Sequence, residues 1–399
     1  MDTLLVFAGM LLLAVISEPL ARLIHLPFSA LLVIIGFAGS EPLVAGDIDT
    51  GLHWQQFTYL ILHVFVPVLV FESAFNMKAR VLIENLLPVL FLAIPLMLIA
   101  AGITASALYF GIDHSRGFPW IAALLCGVIL SATDPVAVVS LFKQLGAPDR
   151  LTALLEGESL FNDTTAIVVF TLLIASATSG ETVSFSDASI ALAYTLLGGV
   201  AVGTTCGMLG ALLYRFFDSS KLRAVICAVS AYVAFYLAEH LLQVSGIVAV
   251  LLAGLLLGEH HRRQSQRDVF PPELWELAAY CSNALLFLLA GATITWQMFQ
   301  SHWAAMAIGV VASIIARAAI IYGLLPASTK VLPGQSLPGG FRAVMMWRGL
   351  RGAVAIALAL SLPTKMPGWY TVQSIVYGVV LFTLVVQAPL MPRLIKRVF

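Results

Sequence analysis

Thirteen apolar runs, each bounded by Gly, Pro or a charged residue, divide this 399-residue chain almost end to end. Their approximate extents are 3–20, 27–40, 57–76, 85–110, 118–143, 151–178, 186–216, 222–241, 245–258, 272–294, 302–325, 341–362 and 370–392. A run of roughly 20 apolar residues is the length of helix that crosses the hydrocarbon core of a bilayer. In lipid every backbone N–H and C=O has to find a partner within the protein, which leaves helices and closed barrels as the spanning structures. The expected fold class is therefore all-α: a polytopic membrane protein of 13 transmembrane helices. Composition agrees, with 60% hydrophobic and 11% charged residues and a mean hydropathy of +0.97, far from the soluble range. Nothing in a net charge of zero points to nucleic acid as a partner.

The N-terminus opens on Asp2, carries no basic region and shows no small-residue cleavage site, so it reads as the first span and not as a signal peptide. The C-terminal RLIKRVF is too short for a regulatory domain. Cys126, Cys206, Cys227 and Cys281 fall at scattered spacing inside apolar runs and read as buried thiols, with no metal or disulfide pattern. Basic residues set the orientation. With the N-terminus outside and the C-terminus cytoplasmic, 16 of the 21 Lys and Arg residues collect on the cytoplasmic side. Only Arg116 and Lys365 fall outside, and Arg317, Arg348 and Arg351 lie within spans.

A repeat is visible at an offset of seven spans. PFSALLVIIGFAGSE (27–41) and SGIVAVLLAGLLLGE (245–259) share Gly and Glu positions, and VPVLVFESAF (66–75) parallels ALLFLLAGAT (284–293). An odd offset predicts two inverted six-helix repeats, an arrangement found in secondary transporters. Interrupted spans at equivalent places in the two halves mark the binding site in such proteins. Span 5 contains GVILSATDPVAVVSLF, where Pro135 lacks an N–H and pushes Asp134 away from helical geometry. Span 12 contains MMWRGLRGAVAIALAL, where Gly349 and Gly352 flank Arg351 and make local unwinding cheap. Spans 5 and 12 are the expected discontinuous crossing helices.

Mid-membrane ionisable residues are expensive and mark ion pathways or partners. They are Glu72, Asp134, Glu158, Asp163, Arg317, Arg348 and Arg351, so four carboxylates against three guanidiniums leave one acid over for a proton or a cation. Glu18 and Glu239, near span ends, read as structural, and the histidines, among them His25, His63, His240, His260 and His261, sit mostly near interfaces. No Cys/His cluster suits a transition metal, whereas carboxylate, hydroxyl and carbonyl oxygens suit an alkali cation. One buried acid that competes for either proton or cation, open alternately to each side, is sufficient for exchange. One carboxylate cycling between one H+ and one monovalent cation predicts electroneutral 1:1 exchange. Two rivals of other classes are a cation channel, for which no filter-like loop is visible, and an intramembrane aspartyl protease using Asp134 and Asp163, for which the G-x-G-D context is missing.

SATDPVAVVS (131–140), GESLFNDTTAIVVF (157–170) and RGLRGAVAIALAL (348–360) resemble the signature segments of monovalent cation:proton antiporters, in the NhaP-like sodium/proton exchanger branch; FVPVLVFESAFN (65–76) is similar to that family's acidic segment. The resemblance extends over all thirteen spans. It implies Na+ or Li+ exchanged for H+ by alternating access, with K+ on the same fold as the alternative. It implies Asp163 as the shared carboxylate, Asn162 as its polar neighbour, Ser159, Thr133 and Asp134 as further oxygen ligands, and Glu72 approaching from the opposing domain. It implies a buried Glu158–Arg317 ion pair and Arg351 balancing charge at the span-12 break. A small residue is expected at position 348, and Arg348 is expected to face a surface. The implied organisation is an interface domain of helices 1–3 (1–77) and 8–10 (221–295), a moving core of helices 4–6 (84–178) and 11–13 (302–397), and a linking helix 7 (186–216). A homodimer in lipid, a bacterial-type inner membrane, a role in pH homeostasis, and neither enzyme activity nor a soluble cofactor complete the expectation.

Overall fold

The computed structural model describes residues 3–24, 26–45, 60–112, 117–133, 149–179, 185–264, 272–328 and 339–398. Among these residues there is no strand; eight helices are long and apolar enough to cross a membrane, and three shorter apolar helices accompany them. The all-helical class expected from the apolar runs holds. Of the expected site residues, Asp134, together with Pro135 beside it, lies outside the described residues.

The helices are α1 (Thr3–Leu23), α2 (Phe28–Ala45), α3 (Ile61–Asn76), α4 (Ala79–Glu84), α5 (Leu86–Gly111), α6 (Trp120–Ser131), α7 (Asp149–Ser179) and α8 (Phe185–Phe216). They continue as α9 (Ser220–Leu241), α10 (Gly246–Gln264), α11 (Pro272–Thr293), α12 (Trp296–Leu324), α13 (Gly339–Trp347), α14 (Ala353–Leu360) and α15 (Trp369–Arg397). Two compact units divide the chain: the first is Met1–Thr58, Leu87–Ala166 and Ala284–Phe399, the second Tyr59–Leu86 and Ile167–Asn283.

In the first unit, α5, α6, α12 and α15 pack together, with α14 against α6 and α15. One apolar core joins Leu92 and Leu96 of α5, Leu151 and Leu155 of α7, Ile320 and Ile321 of α12, Phe341 and Met345 of α13, and Met391 and Ile395 of α15. Gly127 lets α6 lie directly on α5, because a Cβ there would run into the Ala101 carbonyl and the Ala105 N–H. Small residues at such crossings let backbones approach where lipid supplies no hydrophobic drive between helices. Gly127→Val is therefore expected to abolish the monodisperse folded peak in detergent size-exclusion chromatography; a wild-type elution profile would contradict this packing. On the outside of the unit, α1 presents Leu12, Val15 and Ile16, each about 60% exposed, as a surface suited to lipid tails.

The second unit is built on α10, which packs against α8, α3 and α9. Gly203 and Gly258 admit the Ala249 and Phe75 backbones, respectively, as Gly127 does for α5. Arg262 donates to the Phe75 and Met77 carbonyls at 2.7 and 2.5 Å, closing the C-terminal end of α3. Glu239 accepts the Gly246 N–H at 2.9 Å, which fits the structural reading of that acid.

Among the described residues, five helices contain a π turn: Ile61–Phe65, Leu92–Leu96, Leu237–Leu241, Ala319–Leu324 and Thr383–Gln387. Proline explains four of them. Pro67, Pro326 and Pro389 each follow a π turn by two residues, and Pro95 lies within one. A proline lacks the N–H and its ring clashes with the carbonyl four residues back; widening that turn relieves both faults without breaking the helix. For the turn at Leu237–Leu241, which holds no proline, we find no such cause.

Candidate functional site

The end of α6 and the interruption of span 12 lie in the first unit, and they meet. Helix α6 ends at Ser131, with Ala132 already in extended geometry (φ −63°, ψ 132°). Span 12 is interrupted between Trp347 and Ala353, and Gly352 leads into α14 in an extended conformation. Within that gap the Leu350 N–H turns back onto the Arg348 carbonyl at 2.5 Å.

Opening a helix exposes carbonyls that its own N–H groups no longer reach, and buried carbonyls need donors. Three consecutive carbonyls at the end of α6 each receive one from a different side chain. Asn162 Nδ2 donates to the Ser131 carbonyl at 2.9 Å. Arg351 Nη1 donates to the Ala132 carbonyl at 3.1 Å. The Ser159 hydroxyl donates to the Thr133 carbonyl. Asn162 Nδ2 also lies 3.4 Å from the Thr133 hydroxyl. All four of Thr133, Ser159, Asn162 and Arg351 are buried. Arg351 thus places its charge on the negative C-terminal end of the α6 helix dipole. Its own N–H donates to Thr383 Oγ1 at 3.2 Å, in the π turn of α15. Ser159 and Asn162 are three apart on α7 and share the face turned to the break.

Glu158 points elsewhere. Its Oε1 accepts from Arg317 Nη1 at 3.1 Å, so the Glu158–Arg317 pair is present. Its Oε2 pairs with Arg348 Nη2. Arg348 is 0% exposed and also donates to the Leu155 carbonyl at 3.2 Å. The expectation of a surface-facing Arg348 is corrected here: the side chain is buried at the break, and its guanidinium meets the Glu158 carboxylate. Sequence reasoning missed that pairing, although a third guanidinium amid MMW and GL was the signal for it. Also missed were Thr383 and Gln387, whose carbonyl accepts Trp347 Nε1 at 3.1 Å.

Asp163 is half-buried, one residue beyond the fully buried Asn162. It acts electrostatically on Arg351, as do Arg317 and Arg348. A cavity of about 20 Å³ beside the pair is lined by Ser131, Glu158, Asn162 and Arg317 together with apolar residues of α5 and α12. That is room for a single water. Asn162 Oδ1 and Arg317 Nη2 have no hydrogen-bond partner among the described residues. Glu72 belongs to the second unit, where its Oε1 accepts from Asn76 Nδ2 at 2.6 Å. Among the described residues no group of three or more His, Cys, Asp or Glu could hold a metal ion.

The family description "Sodium/hydrogen exchanger, transmembrane" matches residues 8–397. The chain belongs to this sodium/hydrogen exchanger family. It is 36% identical over 400 residues to the Na+/H+ antiporter ApNhaP of Aphanothece halophytica, covering 99% of this chain and 74% of that protein. It is likewise 36% identical over 392 residues to the low-affinity Na+/H+ antiporter NhaS1 of Synechocystis, covering 96% and 72%. Its fold is that of the sodium proton antiporter MjNhaP1 from Methanocaldococcus jannaschii at pH 8, with a TM-score of 0.81 at 19% identity over 98% of this chain and 97% of that one. The exchanger is an integral membrane protein of a transporter family, and its relatives are named as antiporters, not enzymes.

Proposed function

We propose that this exchanger carries one Na+, or Li+, against one H+ with Asp163 as the carboxylate that binds either. The observation that carries this reading is the contrast between two acids on one helix. Glu158 is committed to two guanidiniums, whereas Asp163, half-buried on the same helix, acts electrostatically on Arg351, the arginine that holds the end of α6. Thr133, Ser159, Asp134 and Asp163 supply hard oxygens for an alkali cation, with Glu72 as a further acid. Asn162 has a different role in this reading: its amide holds the end of α6 in place. A carboxylate with Na+ bound and the same carboxylate protonated carry the same charge, so the loaded core is electrically identical in both directions of the cycle.

Alternating access then moves helices 4–6 and 11–13 against helices 1–3 and 8–10, with helix 7 as the link. Thirteen spans in two inverted repeats, a homodimer, an N-terminus outside and a C-terminus inside a bacterial-type inner membrane belong to the same proposal. Supporting it are the positive-inside bias, the meeting of two broken segments, and the family. The test is proton flux into proteoliposomes under imposed Na+, Li+ or K+ gradients, with the potential clamped or free. Cation-driven flux that ignores the potential is expected; a flux that scales with the potential would overturn the 1:1 stoichiometry.

A further inference from the structure

Two helix pairs in the first unit are locked through glycine, and a cleft lies between them. In the α2–α11 pair, a Cβ on Gly36 would run into the Leu288 carbonyl, and one on Gly291 into the Val33 carbonyl. In the α12–α15 pair, Gly309 seats the Ile375 side chain and Gly378 seats Met306. Approach this close makes each pair a stiff piece. The cleft is apolar and has a volume of about 260 Å³. Val33, Ile34 and Phe37 of α2 wall it on one side, Trp296 and Phe299 of α12 and Leu381 of α15 on the other. Apolar walls present no directional bond to a relative movement of the pairs.

Beside the cleft, α15 is tied by hydrogen bonds to the short turn between α11 and α12. The Thr293 hydroxyl, at the end of α11, donates to the Ala290 carbonyl at 2.8 Å and lies 2.7 Å from the Tyr377 hydroxyl. A threonine hydroxyl has one proton. With that proton on the Ala290 carbonyl, Tyr377 is the donor to Thr293. Tyr377 is 1% exposed, and Thr293 is the one hydrogen-bond partner of its hydroxyl among the described residues. Two helical turns earlier on α15, the Tyr370 hydroxyl lies 3.1 Å from Thr295 Oγ1. Further along the same helix, Thr383 receives the Arg351 N–H, which ties α15 to the span-12 break.

We propose that the Tyr377–Thr293 hydrogen bond is a latch between the two helix pairs: it holds the exchanger in this conformation, breaks in each transport cycle and sets the turnover rate. This rests on the proposed division of the helices, with α2 and α11 on the interface side and α12 and α15 in the moving core. When the pairs shift, Tyr377 carries its hydroxyl away from Thr293, and a buried donor left without its partner is unfavourable. The step out of the latched conformation is slowed by about two- to tenfold relative to a chain without that hydroxyl.

The experiment measures kcat of Na+-driven proton flux at saturating Na+ in proteoliposomes, with thermal unfolding in detergent alongside, for wild type, Tyr377→Phe, Thr293→Ser and Thr293→Val. Tyr377→Phe keeps the ring and leaves Thr293 on the Ala290 carbonyl, and it is expected to raise kcat by about two- to tenfold. Thr293→Ser retains the hydroxyl and is expected to keep the wild-type rate. Thr293→Val strands the Tyr377 O–H, so it loses thermal stability that adding Tyr377→Phe restores. A bond that only holds the fold predicts an unchanged or reduced kcat for Tyr377→Phe with a lower melting temperature, and that result would overturn the latch. A cross-link separates the latch from the division on which it rests. Ile34→Cys and Leu381→Cys, on two walls of the cleft, are combined in a variant whose four native cysteines are replaced by alanine. A bifunctional methanethiosulfonate joins them, with the product confirmed by mass spectrometry, and reductant releases them. Exchange that stops on cross-linking and returns on reduction supports the division, whereas exchange that persists would sink the division and the latch with it. Blocked exchange together with a wild-type kcat for Tyr377→Phe would sink the latch alone.

Discussion

Asp163→Asn is expected to reduce cation-driven proton flux to the level of empty proteoliposomes, a loss of at least about 100-fold. A carboxylate about 3 Å from a monovalent cation, at an effective dielectric constant of about 20, contributes roughly 5 kcal/mol, and each 1.4 kcal/mol is tenfold. Asparagine keeps the shape and one oxygen but can take up neither a proton nor a charge-compensated cation. The variant should remain folded, because Asp163 is half-buried and the end of α6 is held by Asn162, Ser159 and Arg351 instead. Thermal unfolding in detergent checks that point. An inactive variant that also melts far below wild type would speak for a structural role of Asp163.

Among the charged residues, the largest effect on stability is expected at Glu158. Glu158→Gln leaves Arg317 and Arg348 buried without the carboxylate that both contact. Removing one partner of a buried charge pair costs about 3–5 kcal/mol, because the charge left behind is uncompensated. Combining Glu158→Gln with Arg348→Met removes one of the two stranded charges and should recover part of that loss. A double-mutant cycle on unfolding free energy measures the coupling directly. Additive losses would mean that the Arg348 pairing carries no energy. The same variant should also lose transport, since Glu158 ties α7 to α12 and to the span-12 break.

How much of this was legible in the sequence differs between backbone and side chains. The interruption of span 12 was readable because its cause is local: Gly349 and Gly352 make unwinding cheap wherever the chain goes. Helix α6 indeed stops at Ser131, and span 12 is interrupted at 348–352. The Glu158–Arg317 contact spans 159 residues and came from the family resemblance. That Arg348 needs a buried partner was legible from its apolar surroundings, but which partner was not. Its direction depends on how far the 348–352 segment sinks into the unit, which is set by the packing of α13 on α15 and by the Trp347–Gln387 bond. Nor could spacing alone divide labour along α7. At positions 158, 159, 162 and 163 the helix sends one acid to the arginines and two polar side chains to the break. That division depends on neighbours that are distant in sequence.

The π turns teach the same lesson in reverse. A proline in a span reads as a break or a kink, yet Pro95, Pro326 and Pro389 are each absorbed by a widened turn. Only the proline at 135 is joined to a site in the proposal, because an acid precedes it and a second interrupted span stands opposite.

The central claim is that a proton and a cation compete for one carboxylate, and its most direct test is the apparent Na+ KM measured across pH in proteoliposomes at fixed, clamped potential. A single shared site predicts that, on the acid side of the carboxylate's pKa, KM rises about tenfold for each unit of acidification while the maximal rate at saturating Na+ stays constant. A KM that holds constant across pH while the maximal rate falls would place proton and cation on separate groups, and would contradict the account.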